Sequence, residues 1–271
     1  MRHLRPLAGF AVACAFAACG APLTESDGAA DAAVTADAHA DAEPLIDSPA
    51  ADAVDGAPDV TADVAAEVAT DVPDASGPVT AAQLLALTTA CMRIPGTPLY
   101  ATDSGLAQTI PLCQLNGAIF WQADMDIDCD GGSSALCRSD PYYSPDTSAQ
   151  TSTGLPLDAS TLPFVVIPLP RTGFGYAMNG IRLGSVVAVI YRGQLVFGVF
   201  GDEGPSTVIG EASNALATAL GINGNPSTGG VDSGVTYIIF TGATGAVTRN
   251  EDHAEAVRIG EMRASQLVYG P

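Results

Sequence analysis

The feature that most limits how this chain folds is a long stretch, residues 20–78, with no aromatic residue, no lysine and no arginine. It consists mostly of Ala, Asp, Val, Thr, Pro and Ser, and it carries 14 of the 30 acidic residues. A segment of this composition buries too little apolar surface to offset its ordering entropy, and its charges repel one another. We therefore predict a disordered, extended acidic linker, with the folded part of the chain after it.

The first 19 residues have the pattern of an export sequence. Two arginines precede an apolar run, residues 7–18, which is too short to span a bilayer as a mature helix. Two small residues then precede Cys19, as in a bacterial lipobox, so we predict a signal peptide over residues 1–19 and lipidation of Cys19. Phe16 stands where leucine is more usual, which leaves ordinary signal-peptide cleavage open. The protein is expected to be exported, either lipid-anchored to the bacterial cell envelope at the outer membrane or secreted.

Residues 79–271 have the length of one domain with a substantial core. Their 16 acidic residues and eight arginines, with no lysine, give this part a formal charge of −8. Nucleic acid is excluded as a partner because phosphate binding needs a basic face, and a cationic ligand is favoured. We expect a monomer that meets a membrane only through its lipid.

Four cysteines in this domain indicate two disulfides, because an even count in an exported protein is typical of disulfide bonding. A zinc site is less well supported, since no pair has C-x-x-C spacing and His253 is the only histidine of the domain. The three possible pairings stay open. The pairs that would close the shortest loops are Cys91 with Cys113 and Cys129 with Cys137.

The element pattern of the domain begins with a capping box at Thr80 before an apolar run, which predicts a helix. Runs rich in Val, Ile, Tyr and Phe then predict strands, and two helices follow near 210–220 and 252–267. The fold class expected is α+β, mainly antiparallel β, with a barrel-like sheet, for which a double-psi barrel is one form, a few helices and two disulfides. The predicted strands cover residues 118–129, 164–169, 185–191, 194–200 and 235–240.

Residues 120–131 alternate between apolar and acidic side chains with a period of two. In a strand, Met125, Ile127 and Cys129 would face the core, and the acidic side chains would share the other face. Neighbouring carboxylates repel one another unless a positive partner lies opposite, which could be an amino sugar, a metal ion or an arginine. The acidic residues are Asp124, Asp126, Asp128 and Asp130.

Calcium is an alternative partner for this acidic segment. Asp126, Asp128, Asp130 and Gly131 match the first half of an EF-hand loop. The second half does not match, because Cys137 stands where the loop needs a bidentate glutamate. Calcium therefore stays open, and no cofactor is expected.

Two further carboxylates flank a loop rich in Gly and Pro. An apolar strand runs into Asp202, and Glu211 opens the next predicted helix. A strand end and a helix start can bring two side chains to opposite sides of a cleft, as glycoside hydrolysis requires of its two carboxyl groups. A carboxylate in a first helical turn also stabilises the helix dipole, so Glu211 has a purely structural alternative.

Four segments in order resemble the core of the glycoside hydrolase family 75 chitosanases: FWQADMDIDCDG, VVAVIYRGQLVFGVFGDEGPS, IGEASNALATALGI and DSGVTYIIF. The resemblance covers most of residues 120–240, and its GD and GEAS motifs are the most specific part. It implies that Asp202 and Glu211 are the essential pair of an endo-acting, inverting enzyme, a chitosanase that acts on chitosan or partially deacetylated chitin. Glu203 departs from the pattern as an extra acid beside Asp202, and could bind an ammonium group.

The sequence surroundings of Asp202 and Glu211 indicate which of the two is the general acid and which is the general base. A helix N-terminus would hold Glu211 ionised, which suits a base, and the apolar strand before Asp202 would raise its pKa, which suits an acid. We therefore expect Glu211 to be the base and Asp202 the acid.

The acidic segment then has a role in binding substrate. Asp124, Asp126 and Asp128 would contact protonated glucosamine units, and Trp121 would stack on a sugar ring unless it belongs to the core. The competing function is a non-catalytic surface lipoprotein that binds a cationic polysaccharide or calcium. Such a protein would need the acidic segment but not the pair.

Overall fold

A computed structural model describes residues 77–270 of the chain. The predicted signal peptide, the lipidation of Cys19 and the acidic linker fall almost entirely on residues 1–76 and lie outside the described residues. Among residues 77–270, no helix is long and apolar enough to cross a membrane.

The described part of the chain contains seven strands and four helices. Two 3₁₀ turns, Tyr176–Asn179 and Ala243–Gly245, lie between them. The helices are α1 (Ala81–Leu87), α2 (Ala135–Arg138), α3 (Asn214–Ala219) and α4 (His253–Tyr269). The strands are β1 (Cys113–Leu115), β2 (Ala118–Asp128), β3 (Phe164–Pro168), β4 (Val186–Tyr191), β5 (Gln194–Gly204), β6 (Glu211–Ser213) and β7 (Val231–Phe240).

Six of the strands close into a barrel in the order β2, β6, β3, β5, β4, β7, and β7 returns to pair with β2. The β2–β6 and β3–β5 pairs are parallel and the other four are antiparallel. β1 adds an antiparallel partner to the first part of β2, on the edge that β6 continues. The predicted fold class, α+β with a mainly antiparallel, barrel-like sheet, is confirmed.

The apolar residues form two layers, one on each side of the sheet. The first, inside the barrel, includes Trp121, Met125 and Tyr237. The second lies between the sheet and helices α1 and α4, and includes Leu84 and Phe120. Successive strand residues point to opposite faces, so the parity of a residue within β2 decides which layer it joins.

Both disulfides are present. Cys91 bonds Cys113 across 22 residues, and Cys129 bonds Cys137 across eight. Of the three pairings that the sequence left open, the structure has the one with the shortest loops.

The helix expected at the capping box is confirmed: the Thr80 side chain accepts from the Gln83 amide, and the Gln83 side chain accepts from the Thr80 amide. The helix expected from about residue 210 is wrong at its start. Helix α3 begins at Asn214, because the Ser213 side chain caps it by accepting from Leu216 N–H. Residues 211–213 are instead extended as β6, between β2 and β3.

Candidate functional site

Strand register brings the two predicted catalytic carboxylates onto one face of the sheet. Glu211 on β6 is paired with Asp126 on β2 and with Val166 on β3, and Val166 is paired with Asp202 on β5. Register partners point to the same face, so these four side chains form a row across four adjacent strands. Neighbouring strands lie about 4.8 Å apart, which places the backbones of Asp202 and Glu211 roughly 10 Å apart with one strand between them.

A β-bulge in β5 puts Asp202 on this face. Val165 pairs with Phe200, but Val166 pairs with Asp202, so Gly201 is an extra residue in β5. Phe200 is part of the barrel interior. In a regular strand without the bulge, Asp202 would point to the same side as Phe200, two residues before it, and would enter the interior. A side chain at the bulge itself would clash, since a Cβ on Gly201 would lie 2.6 Å from Phe164 Cβ.

Asp202 is 7% exposed, and its Oδ1 accepts three hydrogen bonds. The donors are Ser148 N–H at 2.8 Å, the Ser148 hydroxyl at 2.6 Å and Glu203 N–H at 2.8 Å. Donors aimed at one oxygen stabilise the negative charge of the carboxylate and fix its orientation. Ser148 lies in an irregular segment, and nothing in the sequence pattern pointed to it.

Glu211 is half-buried, and the protein around it raises its pKa to about 7. Burial is the largest cause, followed by the charge of Asp126 and then by more distant carboxylates. The Glu211 side chain extends over Val166 toward β5, since a Cβ placed on Gly204 would lie 3.5 Å from Glu211 Oε2 and 3.0 Å from Val166 Cγ1. The space between the two carboxyl groups therefore has Val166 as its floor and stays open because residue 204 has no side chain.

The acidic face of β2 is less accessible than the alternation suggested. Asp126 is exposed, but Asp124 and Asp128 are each 5% exposed. Burial raises the pKa of Asp124 to about 8 and holds that of Asp128 well above its usual range, and the charge of Glu211 adds to the shift of Asp128. Asp126, open to solvent on one side, has its pKa raised to about 6. Of the three aspartates expected to contact sugar, only Asp126 is exposed at the surface.

The calcium alternative does not take the EF-hand form. Strand β2, not a helix, leads into the segment, and Cys137 at the twelfth position is bonded to Cys129. A different set of carboxylates meets here: oxygens of Asp128, Asp130 and Asp202 lie within 4.8 Å of one another. This set could hold a cation, although Asp130 and Asp202 already accept backbone N–H groups, from Ser144 in the case of Asp130.

The side chains of Trp121 and Glu203 do not join the row that contains Asp202 and Glu211. Trp121 is 2% exposed and stacks on Tyr237 inside the barrel, with ring centroids 5.1 Å apart. Of the two positions that the sequence left open for Trp121, stacked on a sugar or in the core, the structure has the core. The reason is parity, because Trp121 lies on the same face of β2 as Met125. Glu203, next to Asp202, is paired with Ile167 of the barrel interior and accepts a hydrogen bond from the Tyr176 hydroxyl.

Comparisons with known proteins match this part of the chain. The family described as fungal chitosanase of glycosyl hydrolase group 75 matches residues 125–267, which include Asp202 and Glu211. The chain is 33% identical to endo-chitosanase C of Aspergillus oryzae over 180 residues, 62% of this chain and 44% of that protein. It is 32% identical to endo-chitosanase B of the same organism over 56% of this chain and 75% of that protein. It is 32% identical to an endo-chitosanase of Aspergillus fumigatus over 47% of this chain and 59% of that protein. The match to endo-chitosanase C thus spans less than half of that relative.

Proposed function

The chain belongs to the fungal chitosanase family of glycosyl hydrolase group 75, and on that basis we propose that it is an endo-acting glycoside hydrolase that cleaves the β-1,4 linkages of chitosan with inversion. The observation that carries the proposal is the row in which Asp202 and Glu211 lie on one face with Val166 between them. Inverting enzymes keep their two carboxyl groups about 6.5–9.5 Å apart, so that a water molecule fits beside the sugar. Side chains rising from backbones roughly 10 Å apart can meet that spacing.

The surroundings of the two groups favour Glu211 as the acid and Asp202 as the base, the reverse of the sequence expectation. That expectation relied on a helix N-terminus at Glu211, and helix α3 begins only at Asn214. A carboxyl group whose pKa is raised to about 7 keeps its proton for the leaving oxygen at mildly acidic pH. Asp202 is held by three hydrogen-bond donors as a negative, fixed acceptor for the proton of a water molecule.

The reaction is a single displacement. Glu211 donates its proton to the glycosidic oxygen as the bond from that oxygen to C1 breaks. Asp202 takes a proton from a water molecule, whose oxygen attacks C1 from the opposite side of the ring and inverts the configuration there. Proton exchange with solvent then returns Glu211 to its acid form and Asp202 to its carboxylate form.

The charge around the pair favours a cationic polymer such as chitosan or partially deacetylated chitin. Asp126 is exposed beside Glu211, and its pKa of about 6 makes it negatively charged above that pH. The described part of the chain has two salt bridges, both among residues 249–258, so its arginines leave the acidic row unpaired. Protonated amino groups on the substrate would compensate this charge.

The test measures reducing-end release from soluble chitosan, and from glycol chitin and carboxymethyl cellulose in parallel. We expect activity on chitosan, and a loss of at least about 10²-fold to 10⁴-fold in Asp202→Asn and in Glu211→Gln, the range of general acid–base catalysis. Glu261→Gln, which neutralises an exposed carboxylate on α4, is the matched control and should leave activity unchanged.

Two outcomes would count against the proposal. NMR of the first product should show the anomer opposite to the cleaved bond, and retention would exclude the single displacement. A wild-type protein that binds chitosan without cleaving it would instead support the non-catalytic binding function.

A further inference from the structure

The carboxyl groups of Asp128, Asp130 and Asp202 meet at the end of β2. One oxygen of each group lies within 4.8 Å of an oxygen of the other two. A Ca²⁺ ion binds oxygen ligands at about 2.3–2.6 Å, so two oxygens on opposite sides of one ion are about 5 Å apart. The three groups therefore have a spacing that a single ion can bridge.

Hydrogen bonds fix these groups and leave part of each one free. Asp128 Oδ1 accepts the Asp130 N–H at 2.7 Å, and Asp130 Oδ1 accepts the Ser144 N–H at 2.7 Å. Asp202 Oδ1 receives its three donors from Ser148 and Glu203. Within the described part of the chain, the donors thus reach Oδ1 in each group, and the second oxygen keeps its lone pairs for another ligand.

The burial of Asp128 is a second observation that indicates a ligand. Its side chain is 5% exposed, and its Oδ2 is buried without a hydrogen-bond partner among residues 77–270. A buried carboxyl oxygen left unpaired costs free energy, so a native structure normally supplies a donor or an ion. Because Asp128 is one of the three groups that converge, an ion between them would be the partner that its carboxyl group lacks.

The charges that act on Asp128 are negative. Burial raises its pKa most, and the charges of Glu211, Asp130 and Asp202 add to the shift. The two salt bridges in the part of the chain that the structure describes lie elsewhere, among residues 249–258. Three neighbouring carboxylates thus share a partly buried space in which a cation would lower the electrostatic free energy.

We propose that Asp128, Asp130 and Asp202 bind a calcium ion, with water molecules as its remaining ligands. The ligands are all anionic oxygens, which suit a hard cation, and an irregular turn suits the flexible coordination of Ca²⁺ better than the strict octahedron of Mg²⁺. The site differs from the EF-hand loop considered from the sequence, because Asp126 is not among its ligands and β5 supplies Asp202. The ion would join the end of β2 to β5, two strands that are not paired with each other.

The test measures the Tm of the full chain after treatment with a chelator, with calcium chloride or with sodium chloride at equal ionic strength. For a Kd of about 1 mM, within the range of extracellular calcium modules, about 10 mM calcium should raise the Tm of wild type by about 3–6 °C. Asp128→Asn and Asp130→Asn each remove one charged ligand and should lose most of this rise. No polysaccharide is present, so the result does not depend on the proposed hydrolysis.

Glu261→Gln is the matched control, because it neutralises an exposed carboxylate on α4 and should keep the full rise. Calcium held loosely by other carboxylates of this acidic chain acts on all four proteins alike, so the difference between them isolates the site. Asp130 is only half-buried, so Asp130→Asn still tests the site if Asp128→Asn does not fold. The proposal is overturned if calcium raises the Tm of wild type no more than sodium chloride does, or if the rise is equal in wild type and in the folded variants.

Discussion

Asp202 and Glu211 carry the same functional group in unlike surroundings. Asp202 Oδ1 receives three donors, whereas Glu211 is surrounded by carboxylates and partly removed from water. Hydrogen bonds to a carboxylate favour its charged form, and burial among negative charges favours the neutral form. In the proposed reaction, these surroundings suit Glu211 to donate a proton and orient Asp202 to accept one.

The first prediction at this scale concerns the pH dependence of kcat/KM. Glu211 must be protonated in the free enzyme, so kcat/KM should fall as pH rises through about 7. Asp126 is the largest charge contribution to that raised pKa, so Asp126→Asn should move this alkaline limb to lower pH. Short soluble chitosan oligomers would serve as substrate for both proteins.

Comparing the variants separates the titration of groups in the enzyme from the titration of groups in the substrate. Titration of the substrate amino groups affects wild type, Asp126→Asn and the Glu261→Gln control alike. A limb at the same pH in all three proteins would show that Glu211 is not the acid, or that Asp126 does not act on it.

Sequence reasoning at the residue scale was most specific where a motif named a residue, and it could not predict which side chains are exposed. The resemblance selected Asp202 and Glu211, and register then placed both on one face. The choice between core and sugar contact at Trp121 could have been made from the sequence, because Trp121 has the same parity in β2 as Met125, which the pattern already assigned to the core. Ser148 could not be predicted, since it lies in an irregular segment 54 positions before Asp202 in the chain.

The elements around the site depend on small residues in β5. The strand was expected to end near residue 200 and instead continues to Gly204, past the bulge at Gly201. Neither the bulge nor the short strand β6 has a pattern of its own, because three residues are too few to show a period. Both arise from pairing with strands that are distant in sequence, which a single sequence does not encode locally.

The second prediction concerns Gly204→Ala. The new methyl group would lie 3.0 Å from Val166 Cγ1 and 3.5 Å from Glu211 Oε2, filling the space between the carboxyl groups of Asp202 and Glu211. We expect kcat/KM to fall about tenfold or more while Tm changes by only a few degrees, because the site is displaced and the core is not. Kinetics on chitosan and a thermal melt would measure the two effects.

Gly175→Ala is the matched control for this substitution. Gly175 has φ −127°, and the nearest atom to an added Cβ is Met178 Sδ at 3.7 Å. It should leave both Tm and activity close to wild type. Full activity in Gly204→Ala would mean that the sugar does not occupy the space above Val166.

At the scale of the whole molecule, the fold class with its barrel-like sheet was predictable, and the order in which the strands pair was not. Helix α1, the main strands, helix α4 and the two disulfides follow from local patterns and cysteine count. The β2–β7 pairing that closes the barrel, and the insertion of β6 between β2 and β3, are set by long-range packing. The charge of the domain follows from composition alone, but the burial of Asp124 and Asp128 depends on that packing.

The third prediction concerns stability as a function of pH. Asp124 has a folded pKa of about 8, Glu211 of about 7 and Asp126 of about 6, all above the usual range of carboxylic acids. Between the unfolded and folded pKa values the native state binds more protons than the unfolded chain, so the free energy of unfolding falls as pH rises. This stabilisation is complete below about pH 4 and is lost through about pH 8.

Other carboxylates act in the opposite direction at lower pH. The pKa values of Asp158, Glu251 and Glu255 are lowered by hydrogen bonds, so their contribution is lost as pH falls below the usual range of carboxylic acids. We therefore expect maximal Tm near pH 5 and a decline toward pH 9. Asp124→Asn should flatten this decline, with a difference on the order of a few kcal/mol at pH 9. Parallel declines in both proteins would contradict burial of an ionisable Asp124.

The parallel pairing of Asp126 with Glu211 also has a consequence for folding. These partners lie 85 positions apart in the chain, and the pairs of Val166 with Asp202 and with Glu211 also join strands that are distant in sequence. Contacts of such long range form only after loop closure has been offset by other interactions, and they come late in folding. A partly folded chain would thus contain Asp126, Asp202 and Glu211 without holding them in one row, and we expect the proposed hydrolysis only once the barrel has closed.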